Sequence, residues 1–93
     1  MMDFYYVYIL SSETDGNLYT GYTQNLQSRF EKHNAGKVQS TKHRRPFQLI
    51  YFEACTNKKD AIKREKYLKT HYGKMFIKKR LKSYFTWRDK TKP

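Results

Sequence analysis

Residues 4–10 read Phe-Tyr-Tyr-Val-Tyr-Ile-Leu, and this stretch decides the fold class. Every side chain in it is aromatic, β-branched or leucine, which favours a β-strand buried on both faces over a helix. A polar loop over residues 11–16 ends in Asp15-Gly16, a pair typical of hairpin turns. Residues 17–23 then predict an antiparallel strand that returns along the first.

The register of this hairpin decides which side chains share a face of the sheet. We expect Leu10 to lie opposite Asn17, which puts Tyr8 opposite Tyr19. A slip of one residue would move one tyrosine to the other face, because side chains alternate along a strand. The hairpin therefore predicts two neighbouring phenol groups on one face of the sheet.

A helix is predicted directly after the hairpin, over residues 25–35. Asn25 is a good N-cap, and Gly36 is a typical residue just past a helix end. Helical spacing places four side chains on one face, namely Leu26, Arg29, Phe30 and His33. The inward face of this helix thus carries an arginine and a histidine.

Two further segments complete the predicted sheet and its surroundings. Residues 36–45 are polar and cationic without periodicity, which suits contacts with phosphate, and residues 48–53 predict a third strand. Together the elements predict an α/β fold of the α+β type, with a small, mostly antiparallel three-stranded sheet and helices packed on it. We expect one domain over residues 1–93, with its core over 4–84 and a tail over 85–93.

A second helix is predicted over residues 58–71, and an acid lies in its apolar stripe. The stripe contains Ala61, Glu65, Leu68 and Tyr72. A lone carboxylate in such a place is costly unless it is paired, protonated or bound to a metal ion. Glu65 is therefore a candidate functional group.

The last part of the chain predicts one more helix, followed by a frayed terminal segment. Gly73 is expected to break the second helix, and residues 74–84 are expected to form a further short helix. Its inward side chains are expected to be Met75, Ile77 and Leu81. Trp87 is expected to anchor the tail, whereas residues 88–93 are polar and are expected to fray.

The charge of the chain indicates a polyanionic partner. Lys and Arg number 20 against 8 Asp and Glu, and the resulting charge of +12 costs the folded state self-repulsion. Nucleic acid ranks first as the partner, and an anionic membrane ranks below it because the helices lack a wide apolar face. The cations expected to bind nucleic acid are Lys32, Lys37, Lys42, Arg44, Arg45 and Lys69.

Other features bear on where the protein acts. The longest apolar run, residues 4–10, is far shorter than the roughly 20 residues that span a bilayer. We see no signal-peptide pattern. The single cysteine, Cys55, excludes an intramolecular disulfide and fits a reducing compartment, so we expect a cytoplasmic protein. The histidines show no zinc-type spacing with it.

Five polar side chains remain as a candidate site, and they allow two interpretations. They are Tyr8, Tyr19, Arg29, His33 and Glu65. The first interpretation is a metal-assisted phosphodiesterase site. The second is an ordinary domain with strand tyrosines, a buried ion pair between Arg29 and Glu65, and His33 on the helix surface. The spacing alone favours the second interpretation.

The order of these residues resembles the GIY-YIG nuclease family. The resemblance rests on Tyr6-Val7-Tyr8, then Tyr19-Thr20-Gly21, then Arg29 and His33, and finally Glu65 on a later helix. It runs from Phe4 to about Leu81 and is greatest to small stand-alone bacterial members that consist of the nuclease domain alone.

The resemblance implies a role for each residue of the site. Glu65 would be the sole protein ligand to one Mg²⁺ or Mn²⁺ ion, and Arg29 would stabilise charge on the phosphate. Tyr8 would act as general base or orient the attacking water, with Tyr19 beside it and His33 assisting the proton transfer. Nearby positive charge is expected to help Tyr8, since an ordinary phenol with a pKa of about 10 is a poor base.

The implied function is a divalent-metal-dependent endonuclease that hydrolyses phosphodiester bonds in DNA, with DNA repair or recombination as its setting. RNA is an open alternative to DNA as the substrate. A binding module with the same fold and basic surface but without useful catalysis is the alternative function.

Overall fold

The computed structural model describes residues 3–91 and contains one three-stranded sheet with four α-helices. The strands are β1 (Tyr5–Ser12), β2 (Leu18–Thr23) and β3 (Phe47–Cys55), in the spatial order β2-β1-β3. Both pairings are antiparallel, which confirms the predicted α+β class. The helices are α1 (Leu26–Asn34), α2 (Lys58–Leu68), α3 (His71–Arg80) and α4 (Lys82–Thr91), and a short 3₁₀ turn spans Lys42–Arg44.

The central strand β1 is buried on both faces, as its composition predicts. Val7 and Ile9 pack on one face with side chains from α2 and α3. Tyr8 and Leu10 point to the opposite face, where Phe47 and the α1 side chains cover them. The sheet therefore separates a purely apolar core from a second cluster that contains the candidate tyrosines.

The predicted hairpin register is wrong by two residues. Leu10 lies opposite Tyr19, and Tyr8 lies opposite Gly21. The cause is that β1 continues through Ser12 instead of ending in a loop, and the Ser12 N–H donates to the Asn17 carbonyl at 3.0 Å. A shift of two residues keeps every side chain on its face, so Tyr8 and Tyr19 still share one side of the sheet.

Helix α1 forms where the sequence predicts it, and two asparagines fix its ends. The Ser28 N–H donates to Oδ1 of Asn25 at 3.1 Å, which caps the start of the helix. At the other end the Asn34 side chain donates to the Phe47 carbonyl at 3.0 Å and accepts from the Phe47 N–H at 2.7 Å. Asn34 thereby ties α1 to β3, which is longer than the predicted strand 48–53.

The helix boundaries after residue 58 differ from the prediction. Helix α2 ends at Leu68, and Gly73 lies in the first turn of α3, where its N–H donates to Oγ1 of the N-cap Thr70 at 3.1 Å. A Cβ atom on Gly73 would lie 2.1 Å from the Tyr67 carbonyl oxygen. This glycine is thus a site of close packing between two helices, not a helix breaker.

Several aromatic and apolar side chains expected to be inside are exposed. Tyr72 is 72% exposed, Met75 40% and Trp87 59%, so the predictions that place these three side chains inside are wrong. Ala61, Leu68 and Ile77 are buried, which confirms those predicted inward positions. The anchor is Arg88, which donates to Oγ of Ser11 at 3.3 Å and to the Gly16 carbonyl at 3.1 Å.

The predicted fraying at the chain end is wrong for residues 88–91, which are helical. Residues 92 and 93 of that prediction lie outside the described residues, as do residues 1 and 2. The single domain over 1–93 stays a prediction. Among the described residues, no helix combines the length and the apolar character that crossing a membrane requires.

Candidate active site

Tyr8 lies at the centre of the candidate site, and the missing side chain of Gly21 makes room for it. The Tyr8 residue is 1% exposed, and its ring lies over the backbone of the adjacent strand β2. A Cβ atom on Gly21 would lie 2.4 Å from both Cζ and Oη of Tyr8. A glycine two residues after Tyr19 is therefore a steric requirement for the position of the Tyr8 hydroxyl.

A chain of buried hydrogen bonds leads from this hydroxyl into the protein. Oη of Tyr8 lies 2.8 Å from Nε2 of His33, and Nδ1 of His33 lies 2.8 Å from Oγ1 of Thr41. The Thr41 hydroxyl also lies 3.5 Å from the Val38 carbonyl. The tautomer of His33 with its hydrogen on Nδ1 donates to Thr41 and presents Nε2 to the Tyr8 hydroxyl as an acceptor.

Burial sets the protonation states of this pair. Burial, with the neighbouring positive charge of Arg29, lowers the pKa of His33 to about 4, so the imidazole is neutral near pH 7. Burial also raises the pKa of Tyr8, although interaction with the neighbouring Arg29 guanidinium acts in the opposite direction. The expectation that positive charge lowers the pKa of Tyr8 is thus met only in part, because desolvation is the larger effect.

Arg29 and Tyr19 complete the cluster. Interaction with the Tyr8 hydroxyl raises the pKa of Arg29, which lies half-buried on α1. The Tyr19 ring centroid is 5.0 Å from that of His33 and 6.3 Å from that of Tyr8. The structure therefore brings four of the five predicted site residues into one cluster, from two strands and one helix.

Glu65 lies on α2 at the border of this cluster. Its side chain is 21% exposed and accepts from Nζ of Lys69 at 3.2 Å, and its charge is near enough to raise the pKa of Tyr8. The alternative interpretation required a buried pair with Arg29 and a surface-exposed His33. Glu65 pairs with Lys69 instead, and His33 is fully buried, so both parts of that alternative are wrong.

Two of the residues predicted to bind nucleic acid, both in the loop 36–45, instead form bonds within the protein. Nε of Arg44 donates to Asp15 at 2.7 Å, and this bond is the main cause that lowers the pKa of Asp15 to about 2. Arg45 donates to the Lys42 carbonyl at 2.8 Å and packs beside Gly36. These arginines hold the loop in place, while Lys32 and Lys37 are exposed. Binding of nucleic acid by the six predicted cations stays a prediction.

Sequence reasoning missed two residues that support the cluster. Thr41 lies in a segment without periodicity, so nothing in the sequence pattern links it to His33. Gly21 belongs to the tyrosine motif, and a glycine within a strand signals a close approach by another group. The glycine therefore indicates that some group approaches the strand closely. Only the observed register, with Tyr8 opposite Gly21, shows that this group is the Tyr8 ring.

The chemistry of a single carboxylate fits a hard divalent cation. Mg²⁺ commonly binds proteins through one or two carboxylates and keeps water and phosphate oxygens as its other ligands. Glu65 offers one half-buried carboxylate beside the cluster. Over residues 3–91 there is no group of three or more His, Cys, Asp or Glu side chains that could hold a metal ion by themselves. A bound ion would therefore depend on the substrate for part of its coordination.

The chain matches one protein-family model and is similar to several bacterial proteins. The family model of the GIY-YIG catalytic domain matches residues 4–82. A UPF0213 protein of Staphylococcus epidermidis is 45% identical over 78 residues, which cover 83% of this chain and 94% of that protein. A UPF0213 protein of Staphylococcus aureus is 46% identical over 71 residues, covering 75% and 85% of the two chains. A UPF0213 protein of Bacillus halodurans, solved by solution NMR, is 36% identical with a TM-score of 0.51, covering 80% and 81%.

Proposed function

Because the chain belongs to the GIY-YIG family, we propose that it is a divalent-metal-dependent endonuclease that hydrolyses phosphodiester bonds in DNA. The family consists of endonucleases, so a nuclease acting on nucleic acid is the class of function. The observation that carries the proposal is the buried chain from Tyr8 through His33 to Thr41, with Arg29 beside it. An ordinary core has no need of such a chain of proton carriers next to an arginine.

The proposed proton path follows from these hydrogen bonds. The Tyr8 oxygen takes a proton from the attacking water while the Tyr8 proton passes to Nε2 of His33. Neutral His33 is the acceptor, and the hydroxyl of Thr41 stabilises the imidazolium through Nδ1–H. The path removes the need for a free phenolate, which the raised pKa of Tyr8 disfavours.

Arg29 and Glu65 act on the negative charge of the phosphate, Arg29 directly and Glu65 through a bound cation. Arg29 donates N–H groups to non-bridging phosphate oxygens, where negative charge builds up in the transition state. Glu65 would hold one Mg²⁺ or Mn²⁺ ion, which, when bound, polarises a phosphate oxygen and lowers the pKa of bound water. Tyr19 lies against His33 and limits its movement.

The composition of the chain supports a proposed substrate and a proposed cellular compartment. The charge of +12 supports DNA as the partner, with RNA as the alternative substrate. The single cysteine, Cys55, supports a reducing compartment such as the cytoplasm, where DNA repair or recombination would be the setting.

Purified protein tests the proposal through two substitutions and one control. Glu65→Gln and Arg29→Ala are each expected to lower the rate of Mg²⁺- or Mn²⁺-dependent DNA cutting by about 10²-fold or more, because each removes charge stabilisation from the transition state. Glu31→Gln removes an exposed carboxylate from α1 and is the matched control, which is expected to cut at the normal rate.

The same proteins separate cleavage from simple binding. Manganese binding is measured by paramagnetic resonance, and Glu65→Gln is expected to abolish it while circular dichroism stays unchanged. Cutting that persists in both variants would contradict the mechanism. Salt-dependent DNA binding without any metal-dependent cutting would instead establish the alternative, a binding module of the same fold.

A further inference from the structure

We propose that a groove beside the candidate active site binds the nucleic-acid strand that leads away from the cleaved phosphate, through Lys74, Lys78 and Lys82. The groove lies between the hairpin turn and helices α2, α3 and α4, and its volume is about 1060 Å³. The inference rests on the proposed function for the identity of the strand. It adds a second binding surface that lies outside the loop 36–45.

The groove is continuous with the candidate site. Tyr19, whose ring packs on His33, forms part of its wall. Lys69, which pairs with Glu65 at 3.2 Å, forms another part. A phosphodiester held at the cluster is therefore already at the mouth of the groove, and the strand on one side of it passes directly inside.

The charge of the groove is strongly positive and largely uncompensated. Its lining contains two acids, Asp15 and Asp89, each of which is paired with an arginine of the same groove. The remaining cations on the α3 and α4 side are Lys74, Lys78 and Lys82, which are exposed. These three lysines form no ion pair within 4 Å among the residues that the structure describes. Their charge is left for an external anion.

The spacing of the three lysines suits a linear array of phosphates. Lys74 and Lys78 are four residues apart on α3, which places them on one face and about 6 Å apart along the helix axis. Lys82 follows after another four residues, at the start of α4. Lys74 and Lys78 can therefore contact neighbouring phosphates of one strand, and Lys82 extends the positive lining of the groove onto α4.

The floor of the groove distinguishes among anionic partners. Leu18, Met75 and Phe85 line it with partly exposed side chains, and apolar groups offer contacts to sugars and bases that a purely ionic surface lacks. A flat membrane surface cannot enter a concavity, which argues against lipid headgroups. An acidic polypeptide can enter, but it would not share the phosphodiester bound at the adjacent cluster. A nucleic-acid strand therefore fits best.

Binding to strands of two lengths tests the proposal. Oligothymidylates of about 4 and about 12 nucleotides span the usual range of single-strand site sizes, and fluorescence anisotropy in EDTA measures affinity without cutting. The normal protein is expected to bind the longer strand at least tenfold more tightly. The combined change Lys74→Gln, Lys78→Gln and Lys82→Gln is expected to lose most of this gain. It is also expected to reduce the salt dependence by about 2 logarithmic units per decade of salt, at about 0.7 per phosphate.

A matched variant controls for charge alone. Lys58→Gln, Lys59→Gln and Lys63→Gln remove the same charge from exposed positions on α2 that lie outside the groove. This variant is expected to keep the length-dependent gain. Equal losses in both triple variants would overturn the proposal, as would polyglutamate that competes with the long strand at equal charge concentration.

The outcome for the groove is separable from the outcome for the nuclease. At saturating DNA with Mg²⁺, the groove variant is expected to cut at the normal maximal rate, because its lysines touch no group of the cluster. If no protein cuts DNA but the groove variant alone loses the length-dependent gain, the groove stands and the nuclease proposal fails. If cutting is normal and both triple variants keep the gain, the nuclease proposal stands and the groove proposal fails.

Discussion

We expect the hydroxyl of Thr41, which lies 2.8 Å from Nδ1 of His33, to decide which nitrogen of the ring carries the proton. In the proposed proton path the hydroxyl accepts from Nδ1–H, and Nε2 faces Tyr8 as an acceptor. Residues that orient a histidine in this way control its tautomer without touching the substrate. Thr41 is thus a positioning residue for the proposed proton path.

Replacing Thr41 gives a prediction at the scale of a single oxygen atom. Thr41→Val keeps the shape but leaves Nδ1–H unpaired in a buried site, which is expected to cost about 1–3 kcal/mol of stability. Cleavage is expected to fall at least tenfold, whereas Thr41→Ser keeps the hydroxyl and most of the rate. The ¹⁵N shifts of the imidazole report the tautomer directly. An unchanged tautomer in Thr41→Val would contradict the assigned role.

At the scale of elements, the junction between α2 and α3 depends on one close contact. Gly73 packs so tightly on the end of α2 that no β-carbon fits, and Thr70 caps α3 through the Gly73 N–H. This contact sets the angle between the helix that carries Glu65 and the helix that carries Lys74 and Lys78. The proposed metal-binding helix and the proposed groove therefore both depend on the contact at Gly73.

The close contact at Gly73 predicts that replacing this helical glycine by alanine lowers stability, whereas such a replacement usually raises it. Gly→Ala inside a helix ordinarily stabilises by about 0.5–1 kcal/mol. Gly73→Ala is expected to destabilise by about 1–3 kcal/mol or more, because the new methyl group meets the rigid backbone of Tyr67 and Leu68. Urea unfolding measures the change. A stabilised variant would show that the two helices are not in contact as described.

For the whole molecule, a buried neutral histidine links stability to pH. The folded pKa of His33 is about 4, against an ordinary value of 6.5. Between these values the unfolded chain binds a proton that the folded chain excludes. The stability contributed by neutral His33 is therefore complete above pH 6.5 and declines as the pH falls toward 4.

Substituting His33 isolates this effect from other titrating groups. The free energy of unfolding, measured in urea from pH 7 to pH 4, is expected to fall with decreasing pH in the normal protein. His33→Gln removes the titrating group and is expected to show a clearly smaller fall, although its stability at pH 7 is lower. Parallel pH curves for the two proteins would mean that His33 is not held neutral in the folded state.

Much of this molecule follows from local sequence signals. The apolar run at 4–10, the cap at Asn25 and the left-handed Gly36 each act within a few residues, so helix α1 and all but the last two residues of strand β1 are where the sequence predicts them. The family motif likewise brought together Tyr8, Tyr19, Arg29 and His33, which do lie in contact.

The remainder depends on contacts between distant segments. The hairpin register was missed because the polar pair Ser11 and Ser12 is buried in the strand, where Arg88 and the Arg44 carbonyl supply its hydrogen bonds. The sequence predicts a helix breaker at Gly73 because no local pattern shows that Tyr67 and Leu68 pack against this glycine. For the same reason no local pattern links Thr41 to His33. In each case the partner lies beyond the range of any local pattern.

The position of β1 between its two partners has a consequence for how a new chain folds. β1 is the first strand in chain order, but it needs both β2 and the much later β3 as neighbours. Until Phe47–Cys55 and the helices that follow it have been synthesised, Val7 and Ile9 have only the β2 side chains of their apolar cluster beside them and lack Ala61, Leu68 and Ile77. Folding of the complete sheet therefore waits for more than half of the chain, and during that interval the growing polypeptide exposes its most apolar strand, the kind of segment that aggregates most readily.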